Sequence, residues 1–325
     1  MPKKLKIILA QTLIVSVILM IIKFWAYFIT NSNAILTDAS ESIINVIAGS
    51  FALFSLHLAN VPKDENHPYG HGKIEFLSVG FEGGLIVLAG VVMIIKSTYS
   101  FIYPHTIDEL LLGIILTAVS TLVNFFIGYY LILIGKKQRS MTMQADGHHL
   151  QSDAYSSFGL LLGLLVIQIT NIFWLDSVLA ALFAVFIIFT GIALVRKATA
   201  GIMDEANAPL LSEVVEILNK NREISWIDIH NLRIIQYGQH LHIDAHLTLP
   251  YYWDLEKSHN EVKKLEDIML EKHPQTSEMF IHADPCLPTS CAICQIENCA
   301  VRVHKFVQKI EWSMDSIVKN QKHQV

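Results

Sequence analysis

The chain has 325 residues, of which 52% are hydrophobic and 16% charged, with a mean hydropathy of +0.43 and a formal net charge of −5. A soluble domain carries about 25% charged residues, so a wholly soluble protein is excluded. The acidic balance, with no lysine/arginine stripe interleaved with aromatics, excludes a nucleic-acid binder as well. Residues 5–195 are almost uncharged between short polar breaks, whereas 202–325 hold most of the acids, bases and histidines. That asymmetry predicts a membrane domain followed by a soluble one.

Six apolar stretches come first, each long enough for the roughly 20 residues that a hydrocarbon core asks of a helix. Ile7–Thr30 runs too far beyond Lys3, Lys4 and Lys6 for the apolar region of a cleavable leader, and no small-x-small site ends it. Ala34–Leu58 opens L-T-D-A-S-E-S-I-I-N-V, so Asp38, Glu41 and Asn45 share one helix face at i, i+3 and i+7. The break 62–73 carries D-E-N-H-P-Y-G-H-G-K, and the spans Ile74–Phe101 and Leu110–Ile134 follow it. Ala145–Ile169 opens A-D-G-H-H-L-Q-S-D-A, which puts His149 and Asp153 on one face at i, i+4. Trp174–Val195 is the sixth span.

An acidic side chain at mid-span costs about 2.5–3.5 kcal/mol and needs a reason to be there. Turned toward each other, the polar faces of spans two and five form a cage of carboxylates, an amide and an imidazole. Oxygen and nitrogen donors of that kind suit a small divalent cation. Asp38 is expected near the outer interface, within reach of water. Glu75, Asp146 and His148 are expected at solvated span ends.

Charge orients the spans. Lys3, Lys4, Lys6, Lys63, Lys73, Lys136, Lys137, Arg139, Arg196 and Lys197 fall at breaks on one side, while the breaks around Asn31, His105 and Asn171 carry no lysine or arginine. The positive-inside rule then places both termini and the C-terminal region in the cytoplasm.

Beyond Met203, Pro209–Asn221 has the period of an amphipathic helix, and Ile227–Tyr237 and His240–Leu249 alternate as strands about a turn at Gly238-Gln239. Leu255–Lys272 reads as a second helix and Met279–His282 as a short strand. His240, His242 and His246 are evenly spaced and project to one strand face. All four cysteines fall in Cys286-x4-Cys291-x2-Cys294-x4-Cys299, shaped as a loop by Pro285 and Pro288. Cytoplasmic thiols stay reduced. Four of them suffice for a tetrahedral zinc site or an iron–sulfur cluster, with free thiols as the plainer reading. Val301–Val318 has the pattern of an amphipathic helix packed on the domain. Three segments result: 1–202, 203–285 and 286–325.

Six spans, the ligand pair of span two, H-x-x-x-D in span five, the D-E-N-H-P-Y-G-H-G-K loop and M-D-E-A after span six (Met203–Ala206) together resemble the cation diffusion facilitators over residues 5–285. The resemblance implies an all-α six-helix transmembrane domain followed by an α+β ferredoxin-like (metallochaperone-like) cytoplasmic domain through which two copies dimerise. It implies a transport site of Glu41, Asn45, His149 and Asp153. It implies a loop site of Asp64, His67 and His71, whose spacing gathers a carboxylate and two imidazoles over two helical turns. It implies a cytoplasmic cluster of His230, His246, His259, His282 and Asp284. Family members commonly carry Asp or His and then Asp where this chain has Glu41 and Asn45. Glu41 and Asp153 still balance a dication, and the oxygen-rich set suits iron or manganese as well as zinc.

The expected activity is efflux of Zn2+, Fe2+ or Mn2+ by alternating access in exchange for protons, carried out by a homodimer embedded in the cell (inner) membrane bilayer. No Walker signature offers a nucleotide drive, and no H-E-x-x-H supports a membrane zinc protease. A membrane-anchored metal sensor and a membrane metalloenzyme are the competing readings.

Overall fold

A computed structural model describes residues 3–59, 61–103, 107–137, 141–237, 240–272 and 276–325. Six helices lead: α1 (Lys3–Thr30), α2 (Asn33–Ala59), α3 (Ile74–Ile102), α4 (Leu110–Lys137), α5 (Met141–Thr170) and α6 (Trp174–Ile202). Each is long and apolar enough to cross a membrane. Most begin and end within a few residues of the expected spans. The α6 helix runs on through R-K-A-T-A-G-I, because apolarity stops at the lipid boundary while good helix formers do not. The chain divides into two compact units, one of residues 1–56 and 77–199, the other of 57–76 and 200–325.

In the first unit, large apolar side chains point outward, among them Phe28, Ile169 and Phe189. Such a surface suits lipid, where every backbone polar group must be satisfied within the helix. Small residues bring helices together. A Cβ on Gly128 would lie 2.7 Å from the Gly147 carbonyl, and one on Gly147 would lie 2.7 Å from the Gly128 carbonyl, so α4 and α5 touch backbone to backbone. Gly83 and Gly191 do the same for α3 and α6. Asn31 and Asn171, at φ 56° and 55°, follow α1 and α5 in the left-handed conformation that ends helices. Asp176, buried at the start of α6, accepts from the backbone N–H of Asn33 at 2.6 Å and of Ala34 at 3.3 Å. It sets a carboxylate against the positive end of α2.

The second unit holds α7 (Ala208–Lys220), β1 (Asp228–Tyr237), β2 (His240–Leu249), α8 (Leu255–Lys272), β3 (Thr276–Pro285) and a single turn, α9 (Met314–Ile317). Asn207 caps α7 by accepting from the Leu210 N–H at 3.2 Å. The sheet runs β1-β2-β3, with β1 and β2 antiparallel and β2 and β3 parallel, α8 being the crossover. Val214 and Leu218 of α7, Ile229, Ile243 and Leu247 of the sheet, and Leu265 and Met269 of α8 form its core. This is a helical membrane-type unit followed by a small α+β domain, as the sequence leads one to expect. The expected turn at 238–239 lies outside the described residues.

Two expectations need correction. The third strand has ten residues rather than four, because β3 pairs with β2 along nearly its whole length. Ladder partners, not local alternation, set its ends. The helix expected over Val301–Val318 is absent apart from α9. Its backbone is engaged elsewhere: the Val307 N–H donates to the Ala292 carbonyl at 2.8 Å, and Asn219 Nδ2 donates to the Trp312 carbonyl at 2.7 Å. Of the segment's apolar residues, Trp312 and Ile317 pack inside the domain core, whereas Val303, Phe306 and Val307 are exposed.

Candidate metal sites

In the first unit, polar residues of three helices meet. Asn45 Nδ2 donates to Asp153 Oδ2, joining α2 to α5. Seven residues earlier on the same face of α2, Asp38 accepts from Ser157 Oγ at 2.6 Å, one turn beyond Asp153 on α5. These two rungs bracket Glu41, which is half-buried on α2. The His149 side chain lies outside the described residues; its backbone is on α5, one turn before Asp153. Asp38 is not the wetted residue the sequence suggests. It is 4% exposed and paired with Lys23 of α1 at 3.0 Å. Lys23 was not singled out in the sequence, yet Asp38, Asp153 and Glu41 all act electrostatically on its ammonium. The cluster thus gathers the carboxyl groups of Asp38, Glu41 and Asp153 about one lysine.

In the second unit, one ligand atom from each of Asp64, His67 and His71 lies within 4.8 Å of the others. Asp64 Oδ1 is 3.1 Å from His67 Nδ1, and Asp64 Oδ2 is 3.3 Å from His71 Nε2. The backbone N–H of His67, 2.6 Å from Asp64 Oδ1, is the main reason that carboxyl is held below its ordinary range. The backbone carrying these residues is a turn rather than two helical turns. Gly70, at φ 91°, adopts a conformation open to glycine and folds His71 back toward Asp64.

The second ligand group is His230, His246 and Asp284. Register builds it: His230 pairs with His246 and His246 with His282, a row across all three strands. Asp284 Oδ2 lies 3.3 Å from His230 Nε2 and 3.4 Å from His246 Nδ1, while His282 Nε2 approaches Asp284 Oδ1 at 3.4 Å from the exposed rim. His259 is not brought to this group; it is exposed on α8. His240 and His242 stand apart too, and His242 is 2.9 Å from Asp244 and 3.5 Å from Glu278.

Sequence reasoning missed what lies behind the cluster. Asp228, 1% exposed, is 3.5 Å from His230 Nδ1 and accepts from the His323 backbone N–H at 2.9 Å. Burial alone would raise its pKa, but the His230 and His323 rings and that N–H hold it down at about 2. Lys322, next to His323, is 3.7 Å from Asp284. The C-terminal tail therefore returns to the edge of the group from 95 residues away.

All four cysteines line a single cavity. Residues 9–203 match the cation efflux transmembrane domain and 208–286 match the cytoplasmic domain of cation efflux proteins. The chain is similar to the uncharacterized transporter sll1263 of Synechocystis sp., 30% identical over 81% of this chain and 85% of that one. It is similar to the manganese efflux system protein MneP of Bacillus subtilis, 24% identical over 84% and 93%. It is also similar to the cation-efflux pump FieF of Cronobacter sakazakii, 27% identical over 86% and 91%. With matches spanning both units, the chain belongs to the cation efflux family, the cation diffusion facilitators, whose members are divalent metal cation efflux transporters rather than enzymes.

Proposed function

We propose that this transporter is a metal/proton antiporter, that its ion rests between α2 and α5 on Glu41, Asn45, His149 and Asp153, and that it works as a homodimer in the cell membrane with both termini cytoplasmic. The observation that carries the reading is the polar ladder of α2 and α5, with Asn45 on Asp153 and Asp38 on Ser157, in helices that otherwise face lipid. Ionisable groups inside spans mark ion pathways. The donor set is rich in oxygen, which favours Mn2+ or Fe2+ alongside Zn2+, and one relative is named for manganese efflux.

Energetics require a coupled ion. Expelling a dication against an inside-negative potential of about 100 mV costs roughly 4.6 kcal/mol, and the sequence offers no nucleotide-binding loop to supply it. Metal ligands must be deprotonated to bind, so protons and metal compete for the same groups. Inward proton flow releases the ion on the far side. The Asp64–His67–His71 and His230–His246–Asp284 groups bind metal on the cytoplasmic side and couple occupancy to dimer geometry.

The test is flux in proteoliposomes carrying the full-length protein. Asp153→Ala abolishes metal-dependent flux while the protein stays folded and inserted, and wild-type flux of Mn2+, Fe2+ or Zn2+ follows an imposed proton gradient. Undiminished flux in Asp153→Ala would refute the assigned site, and indifference to the gradient would refute antiport.

A further inference from the structure

The cysteine loop takes no part in the transport reading, and three of its four thiols lie beyond residue 286, where the match to the cytoplasmic domain ends. Cys286 follows β3 directly, Cys291 sits on one turn of 3-10 helix (Pro288–Ala292), and Cys294 and Cys299 come from the loop after it. All four are free thiols. They line one cavity of about 230 Å³ together with Tyr251, Ser290 and Arg302.

The Tyr251 backbone N–H points at Cys286 Sγ from 3.5 Å. An N–H donated to a sulfur stabilises negative charge there. Arg302 is locked in place by the carbonyls of Cys291 at 3.0 Å, Cys294 at 3.1 Å and Ile296 at 2.6 Å. Cys294 is buried beside Ile227 and Ile293.

We propose that Cys286, Cys291, Cys294 and Cys299 are the four ligands of one soft divalent ion of the zinc class, which clamps the loop and the tail behind it onto the sheet. A complete thiolate shell leaves no open position, so the ion is structural rather than cargo. Among the described residues, the ligand atoms gathered within 4.8 Å are those of the two histidine–aspartate groups, and the sulfurs instead stand around the cavity wall. A zinc–sulfur distance of about 2.3 Å sets tetrahedral sulfurs about 3.8 Å apart. Loading therefore draws the loop inward. The inward pull reaches the tail through the Ala292 carbonyl, which accepts from the N–H groups of Val307 and Gln308 at 2.8 and 3.2 Å. Further along the tail, Trp312 is seated in the domain core.

The test is cobalt substitution in the full-length, metal-depleted transporter in detergent, a readout that does not depend on transport. Co2+ is expected to raise the near-ultraviolet sulfur-to-metal charge-transfer and strong visible bands of a tetrahedral four-thiolate site. These bands saturate at one equivalent and are bleached by Zn2+. Cys291→Ser and Cys299→Ser, neither at the buried position, lose these bands while Co2+ still binds the histidine groups. Zinc K-edge absorption of the wild type needs no variant and shows a sulfur shell at about 2.3 Å. Zinc loading also slows proteolysis within 301–313 in the wild type. Absence of the thiolate bands, their persistence in both variants, or iron with acid-labile sulfide in the purified protein would each overturn the assignment. Loss of flux in Asp153→Ala tests the transport site separately, so neither failure can be mistaken for the other.

Discussion

Replacing Lys23 by Met removes the ammonium from a buried ion pair. Lys23 Nζ and Asp38 Oδ1 are 3.0 Å apart with both side chains 3% exposed. At an effective dielectric constant of about 20, charges at that distance attract by about 5 kcal/mol. What the protein loses is set less by that attraction than by the stranded carboxylate. Asp38 keeps Ser157 as a donor, but among the described residues its Oδ2 has no hydrogen-bond partner. Breaking one side of a buried pair costs about 3–5 kcal/mol. For a unit of this size that corresponds to a melting-temperature loss on the order of 10 °C. The assay is thermal unfolding of the detergent-solubilised protein, followed by tryptophan emission. The double variant Lys23→Met/Asp38→Leu removes the stranded Asp38 carboxylate together with the ammonium and recovers most of the loss, forfeiting the Ser157 bond at about 1 kcal/mol. A Lys23→Met protein that melts within about 2 °C of wild type, or a double variant no better than the single, refutes the reasoning.

Gly128→Val drives side-chain atoms into the Gly147 carbonyl, where even a bare Cβ would lie at 2.7 Å. Overpacking of this kind costs about 1–3 kcal/mol, read as a smaller monodisperse fraction on size-exclusion chromatography. Trp312→Ala empties a position 2% exposed in the domain core, from which Arg222 also loses the ring lying 4.0 Å from its guanidinium. The expected penalty is about 3–5 kcal/mol, measured by denaturant unfolding, and a negligible change would show the tail to be merely draped. Asp228 gives a pH dependence. Its folded pKa, about 2, lies below the unfolded value, so its contribution is complete above roughly pH 5 and drains away as pH falls toward 2. That contribution is about 2.5 kcal/mol. In metal-free protein, Asp228→Asn is expected to flatten the acid limb of the stability curve, and an unchanged limb contradicts the assignment.

How much was legible in the sequence depended on whether a residue's partner lay within its own period. The spans announced themselves because lipid rewards every apolar residue in a run, and Asp38, Glu41 and Asn45 declared a common face because 3.6 residues per turn decides it. Lys23 stood equally visible in I-I-K-F-W, a cation in the middle of a span. The acids of the second span do not reveal this partner, and Asp38 is sealed against that lysine rather than open to water. The residues of D-x-x-H-x-x-x-H converge, but by way of a turn pinned at Gly70. Side-chain spacing was informative there; the backbone route was not.

The histidine row across the sheet was hidden for a different reason. His230 meets His246 only through the β1–β2 register, which shifts between His230 and Arg233, and His282 joins through a parallel pairing that no local pattern specifies. A slip of one residue would turn His246 to the opposite face. The register of this sheet is therefore itself part of the candidate metal site. The same holds for the tail: V-R-V-H-K-F-V-Q-K-I-E-W satisfies a helical period, yet its N–H and carbonyl groups bond to Ala292 and Asn219. Amphipathic period states that one side of a segment will be buried. Only the unmet donors and acceptors of what it packs against decide whether it is buried as a helix.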